Sequence, residues 1–482
     1  MKVCIIQDNG LNESLALVEA VAYLRQRGHQ FALFLEDEER GGLESRIREF
    51  APDALLVPSD VGAHHWFHRM TAWLKQRFPL PLISGGIYPT FFTEEAFADP
   101  HVDYLVIGEA ELPLADLLAG LEAGADVSSQ AAVWGRAGGR EFRNSTIRPI
   151  RDLDELPLPD RALYFHYPFI RDFSVKRFNT GRGCTNQCTY CFNPRYKTMF
   201  EPGMPYVRRK SVGKVIEEIL DLQRLAPMRS IHFSDDIFIT SKAWIEEFAE
   251  QYPRRVGIPF SCNCMVDHLS EPIIDCLARA GCRAIALGIE SGDETIRRDI
   301  LRKYFTNADA IAAARRLREK GVLPFSFNMF ALPGETPDDA LKTVDLNLAM
   351  GTYHGRGNMT LVLPKTELAK KAREKGLLRE DEAEYVRVMP DFRDSREFTA
   401  VAPEMDFRNI QNLFPLVLAL PRQAPRIKKW MRGKYHGIYK LSLWLALFRE
   451  RKFFAPEWLS AFRYYRHTGN PYQRTKNFAS LI

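Results

Sequence analysis

Asn179-Thr-Gly-Arg-Gly-Cys-Thr-Asn-Gln-Cys-Thr-Tyr-Cys-Phe-Asn193 carries three thiols, Cys184, Cys188 and Cys191, on one short loop behind an extended segment. Soft ligands this close together hold a metal centre, and their number restricts which one. Structural zinc wants four protein ligands, whereas a four-iron four-sulfur cluster held by three thiolates keeps one iron open to a substrate or cofactor. The alternative on these residues alone is a zinc knuckle completed by Cys262, Cys264 or a histidine.

Working outward, residues 171–364 alternate strands and helices at a long period, with strands expected at 175–180, 230–234, 260–264, 284–289, 324–330 and 359–363. Six such units make a partial β/α barrel, whose catalytic groups belong at the strand C-termini. Polar residues gather there: Ser234-Asp-Asp236 after the second strand, Gly288-Ile-Glu-Ser-Gly292 after the fourth, and Leu332-Pro-Gly-Glu335 after the fifth. Each has a plain structural reading, as a helix cap or a turn. Cys262 and Cys264 alternate with Ser261, Asn263 and Met265, so they are expected to face the outer helices. Cys4, Cys276 and Cys282 are expected in the core. Asn328, Asn358 and Thr360, polar within apolar strands, are candidates for contact with substrate or with one another.

Residues 1–125 alternate at a shorter period, with strands at 3–7, 31–35, 54–58, 81–84 and 104–107 and helices near 14–27, 43–49 and 66–77. This pattern predicts a doubly wound parallel sheet. Its ligand rim would read Gln7-Asp-Asn-Gly10, Ser59-Asp-Val61, Gly85-Gly-Ile-Tyr-Pro-Thr90 and Gly108-Glu-Ala-Glu111. Residues 126–168 read as a connector, since Asp152-Leu-Asp-Glu-Leu-Pro-Leu-Pro-Asp160 can continue neither a helix nor a central strand. The barrel then occupies 169–390 and a helical region 391–482.

That last region is chemically distinct. Residues 421–482 hold 14 Lys/Arg against Glu450 and Glu457, a net of +12, which leaves 5 − 12 = −7 for residues 1–420. Interleaved aromatics suit an anionic lipid surface, a nucleic acid or a lid on the barrel; no nucleic-acid module is recognised, and 441–448 suits an interfacial helix. Eight cysteines without a paired framework suit a reducing, cytoplasmic compartment. No signal peptide or membrane span is expected.

The cysteine spacing, with Tyr190 and the Thr180-Gly-Arg-Gly183 lead-in, resembles the radical S-adenosylmethionine (radical SAM) superfamily. The resemblance implies a 4Fe-4S cluster on Cys184, Cys188 and Cys191. It implies SAM held near Tyr190, with its amine at Ser234, Asp235 or Asp236, its ribose at Glu290 beside Ser291, and its adenine against Gly334. Relatives commonly carry an arginine for the SAM carboxylate where this chain has Met265. The N-terminal rim resembles the flavodoxin-like cobalamin-binding module at Ser59-Asp-Val61 and Gly85-Gly86, with Asp8 and Tyr88 on the same rim. Gly10 stands at the family's axial histidine, so the implied cobalamin has no histidine ligand. The function implied is a cobalamin-dependent radical SAM methyltransferase acting on an unactivated carbon, through a 5′-deoxyadenosyl radical and methylcobalamin. It would use a small hydrophobic or anionic substrate and an external flavodoxin- or ferredoxin-type electron donor. An oxidative cyclase, and a non-catalytic metal scaffold with a membrane- or nucleic-acid-binding tail, are the alternatives.

Overall fold

Val3-Cys-Ile-Ile6 and Ala54-Leu-Leu-Val57 are fully apolar runs, as a parallel sheet covered on both faces requires. In the computed structural model, which describes residues 1–8, 13–39, 41–378 and 404–433, they lie side by side in a seven-stranded sheet. The described residues divide into two units: residues 1–171 with 195–210, and 172–194 with 211–378 and 404–433.

The first unit runs β1 (Lys2–Gln7), α1 (Leu15–Arg25), β2 (Gln30–Leu35), α2 (Leu43–Phe50), β3 (Ala54–Pro58), α3 (His64–Arg77), β4 (Leu82–Gly85), β5 (Tyr104–Val106), α4 (Glu111–Ala123), β6 (Val133–Ala137) and β7 (Arg140–Arg143). Strand order is β2-β1-β3-β4-β5-β6-β7. Direction of winding reverses between β1 and β3, so the crevice for a ligand opens beyond their carboxyl ends, between Asp8 and Ser59. The connector expected at 126–168 differs: β6 pairs antiparallel with β5 and β7 antiparallel with β6, which extends the sheet by two strands. Three-residue β5 would otherwise be an open edge. A further departure is the stretch Arg195–Lys210, expected in the barrel. It is stitched into the first unit by buried Lys210–Glu19 and Arg208–Glu109 ion pairs and an Ile147–Phe200 bridge.

The second unit contains β8 (Val175–Phe178), α5 (Val212–Leu225), β9 (Ser230–Phe233), α6 (Lys242–Arg255), β10 (Phe260–Cys264), α7 (Glu271–Arg279), β11 (Cys282–Glu290), α8 (Asn307–Glu319), β12 (Leu323–Phe330), α9 (Pro337–Met350), β13 (His354–Met359), α10 (Glu367–Glu374), α11 (Glu404–Ala419) and α12 (Ala424–Met431). Its six strands pair in chain order, all parallel, as a partial barrel. Ser211, Ser241, Thr306, Thr336 and Thr366 cap the helices that begin beside them, each cap contributing about 1 kcal/mol.

The sixth strand lies five residues earlier than expected, on His354-Gly-Arg-Gly-Asn-Met359. Its glycines are there for packing. A Cβ on Gly355 would stand 2.5 Å from Leu418 Cδ1 and 2.7 Å from Phe414 Cε1 of α11, which lies directly on the strand. Phe330, Phe407, Phe414 and Leu418 make the core beneath it. The interfacial helix expected at 441–448 and the rest of the basic stretch after 433 lie outside the described residues.

Candidate cofactor site

Cys184, Cys188 and Cys191 are unpaired thiols, the middle one buried and the others half-buried. Their loop is pinned from several sides. Thr180 donates from both its backbone N–H and its hydroxyl to Asp235, at 2.9 and 2.8 Å. Thr189 donates its hydroxyl to Ile300 O at 2.6 Å, and its carbonyl accepts from Leu368 N–H at 2.8 Å. Two asparagines aim donors at sulfur: Asn186 at Cys184 Sγ from 3.5 Å, and Asn193 at Cys191 Sγ from 3.4 Å. Burial pushes all three thiols up, Cys191 to about 11.

The fit to an iron–sulfur cube is a matter of donor chemistry. Three soft ligands share one loop, amide donors stand where cluster sulfurs are tuned, and no disulfide consumes a thiol. Among the described residues no three His, Cys, Asp or Glu side chains converge on a single ion. A cube takes its thiolates at separate corners, so its ligands need not converge. Cys262, the zinc alternative's fourth ligand, shares the helix-facing side of the sheet with Phe233, which packs on α6. Cys4, Cys264, Cys276 and Cys282 are buried.

Glu290 closes the fourth strand, left-handed at φ 62°, after a register shift in the pairing of β11 with β12. A non-glycine residue held there stores local strain, a feature of ligand sites. It is 7% exposed. Its Oε1 accepts from Tyr190 Oη at 2.9 Å and from Lys303 Nζ at 3.1 Å. It does not cap the following turn, because Asp293 Oδ1 accepts from Ile296 N–H instead. A Cβ on Gly288 would sit 2.6 Å from Lys303 Nζ and 2.9 Å from Glu290 Oε1, so a larger residue there would displace the ends of both side chains. Ser291 is buried, its hydroxyl accepting from Asp293 N–H and its carbonyl from Arg297. Gly334 turns at φ 87°, and Glu335 beside it accepts from Leu332 N–H.

Other expected contacts are placed differently. Ser234 Oγ accepts from Arg177 Nε at 2.9 Å, Asp235 is engaged by Thr180, and exposed Asp236 accepts from Asn193 Nδ2 at 2.9 Å. Asn328 faces α9, not the interior. It donates to Ser326 Oγ and Arg356 O and accepts from Asn347, so both its donors and its carbonyl oxygen are engaged within the protein. Thr360 lies beyond its strand and bonds Phe330 O at 2.8 Å, while Asn358 is exposed.

Residues missed by the sequence reading are Lys303, Asn263 and Arg297. Asn263 lies on the inward face, and its buried Oδ1 has no partner among the described residues. Arg297, fully buried, binds Ser291 O, Phe305 O and Asn307 Oδ1, and so fixes the loop carrying Lys303. Their signal is faint, since none belongs to a motif: Arg297 binds residues 6 to 10 positions away, Lys303 residues 13 and 15 away, and Asn263 the carbonyl of Asp235, 28 away.

In the first unit Ser59 is 4% exposed, and its Oγ has no partner among the described residues. Gly86, at φ 103°, would bring a Cβ 2.6 Å from Ser59 O, so its first duty is to let the β3 and β4 loops cross. Gly85 ends β4 without crowding, its nearest contact 3.5 Å. Asp8 O accepts from Asp37 N–H just beyond β1. Tyr88, expected on the rim, is 1% exposed and stacked on Phe92, its hydroxyl on His68. It is a core residue.

Residues 178–346 match the model of the radical SAM superfamily. An uncharacterised methyltransferase of Pyrococcus horikoshii is 24% identical over 350 residues, covering 71% of this chain and 74% of that protein. The anaerobic magnesium-protoporphyrin IX monomethyl ester cyclase of Synechocystis is 26% identical over 325 residues, 64% of this chain and 62% of its own length. Among solved structures, the radical SAM methyltransferase TsrM of Kitasatospora setae, with cobalamin and a [4Fe-4S] cluster bound, aligns over 89% of this chain and 99% of its own at TM-score 0.64 and 16% identity. That last likeness is one of fold.

Proposed function

We propose that this chain, a radical SAM protein by its residues 178–346, is a cobalamin-dependent methyltransferase acting on a small molecule at an unactivated carbon. The observation that carries the reading is the union of three free thiols with Tyr190, Glu290 and Lys303 at the strand ends of one partial barrel. A bound cluster with SAM supplies one-electron cleavage of the sulfonium to a 5′-deoxyadenosyl radical. The chain's own part is positional. Thr180 and Thr189 hold the thiol loop, Asn186 and Asn193 donate to its sulfurs, and Glu290, whose Oε1 is held by Tyr190 and Lys303, would accept from a ribose hydroxyl. Asn263 Oδ1 is an acceptor suited to the methionine amine, beside Ser234 and Asp235, which already accept from Arg177 and Thr180.

Support for cobalamin is the orphaned Ser59 hydroxyl at the switch point between β1 and β3, since a buried hydroxyl without a partner costs about 1–3 kcal/mol. Asp8 and the Gly85-Gly86 turn border the same rim. An external electron donor of flavodoxin or ferredoxin type completes the scheme. No described helix is long and apolar enough to cross a membrane; contact with an anionic membrane surface through the basic stretch stays a separate proposal resting on its charge. A second reading, oxidative cyclisation without methyl transfer, is favoured by the likeness to the Synechocystis cyclase.

The cluster is tested first. Anaerobically reconstituted protein should hold about four irons, and Cys184→Ala, Cys188→Ala and Cys191→Ala should each abolish SAM cleavage while Cys276→Ala does not. Stoichiometric zinc in place of iron would sink the reading.

A further inference from the structure

We propose that Lys303 receives the carboxylate of the SAM methionine, an assignment that rests on the SAM-binding reading above. Its side chain is 2% exposed, and its ammonium is held at 2.6 Å from Gly288 O and 3.1 Å from Glu290 Oε1. Three N–H donors leave the ammonium; those two acceptors use two of them, and the third has no partner among the described residues. The space around it is shared with an uncharged neighbour. The point where a Gly288 Cβ would stand lies 2.6 Å from Lys303 Nζ and 3.9 Å from Met265 Sδ, so the cation and the end of Met265 border one small volume on the barrel's inward face.

That volume adjoins the thiol loop. The Lys303 ammonium lies 5.9 Å from the ring of Tyr190, which stands between Cys188 and Cys191 on that loop. A methionine chelating the cluster through its amine and carboxylate brings an anion to this place. Met265 offers no charge to meet it, and Lys303 offers a buried cation with a donor to spare. Charge-assisted hydrogen bonds of this kind are the strong ones.

The rival role is that Lys303 only neutralises Glu290, and ligand chemistry separates the two. Binding of SAM and of decarboxylated SAM to the anaerobically reconstituted holoenzyme would be measured by equilibrium dialysis. Lys303→Met should weaken SAM roughly ten- to hundredfold while leaving decarboxylated SAM nearly unchanged. Because that variant strands a buried carboxylate, the uncharged pair Lys303→Met with Glu290→Gln is compared with Glu290→Gln alone. The added lysine change should again cost affinity for SAM only. Equal losses for both ligands in either comparison overturn the assignment. Wild-type protein that keeps its cluster but binds neither ligand overturns the SAM-binding reading itself, and the assignment falls with it.

Discussion

Glu290 illustrates how far a single residue could be read. Its place after Gly288-Ile, at a strand end downstream of the cysteine loop, made it legible; its partners were not, because Tyr190 and Lys303 reach it from 100 and 13 residues away. The partners change what a substitution should do. Glu290→Gln removes an acceptor and leaves a buried ammonium unmatched, so SAM affinity should fall roughly ten- to hundredfold and the melting temperature should fall with it. Cluster absorbance should persist. An unchanged SAM dissociation constant would remove Glu290 from the site. Glu335 offers a pH test. Burial raises its carboxyl to about 8 from an ordinary 4.5, against the N–H groups of Leu332 and Ala331. A raised folded-state pKa means its contribution is complete below 4.5 and is lost as pH rises through about 8. Stability between those values should drop by up to about 1.4 kcal/mol per pH unit. Melting curves across that range should be flatter for Glu335→Gln than for wild type; parallel curves would contradict the assignment of this slope to Glu335.

Strands with apolar runs or clean alternation were readable, and β10 falls on the residues expected of it. The elements that escaped did so for physical reasons. β13 carries two glycines and an arginine, a composition that disfavours a strand, yet Gly355 and Gly357 are what allow α11 to lie on it. β7, Arg-Glu-Phe-Arg, is mostly exposed and charged, as an edge strand should be, and so gave no apolar signal. Polarity within an apolar strand makes Asn328 a candidate for substrate contact, but it does not say which face the residue takes. Both faces of β12 are covered, so polarity does not tell them apart, and the inward face there is Phe325, Phe327 and Met329. Packing of α11 on β13 makes a direct prediction. Gly355→Val should lower stability by about 1–3 kcal/mol through collision with Leu418 and Phe414, and Leu418→Ala in the same chain should recover part of the loss. Additive losses in thermal melts would mean that the two do not touch.

Across the whole chain, a parallel α/β unit with an unclaimed serine hydroxyl at its switch point stands in one polypeptide with a partial barrel whose rim carries three thiols and an acid–lysine pair. This order of units was legible, because hydrophobic periodicity and the cysteine spacing are local. Where the units end was not: Arg195–Lys210 returns to the first unit through ion pairs with residues far away in sequence. The account's central claim is that one protein both cleaves SAM to a radical and moves its methyl group through cobalamin. The most direct measurement supplies the anaerobically reconstituted full chain with SAM and a low-potential reductant, with and without hydroxocobalamin, and quantifies the nucleoside products by mass spectrometry. The account predicts 5′-deoxyadenosine in both reactions and S-adenosylhomocysteine only when the corrin is present. Formation of 5′-deoxyadenosine alone under both conditions, or no cleavage of SAM at all, would contradict it.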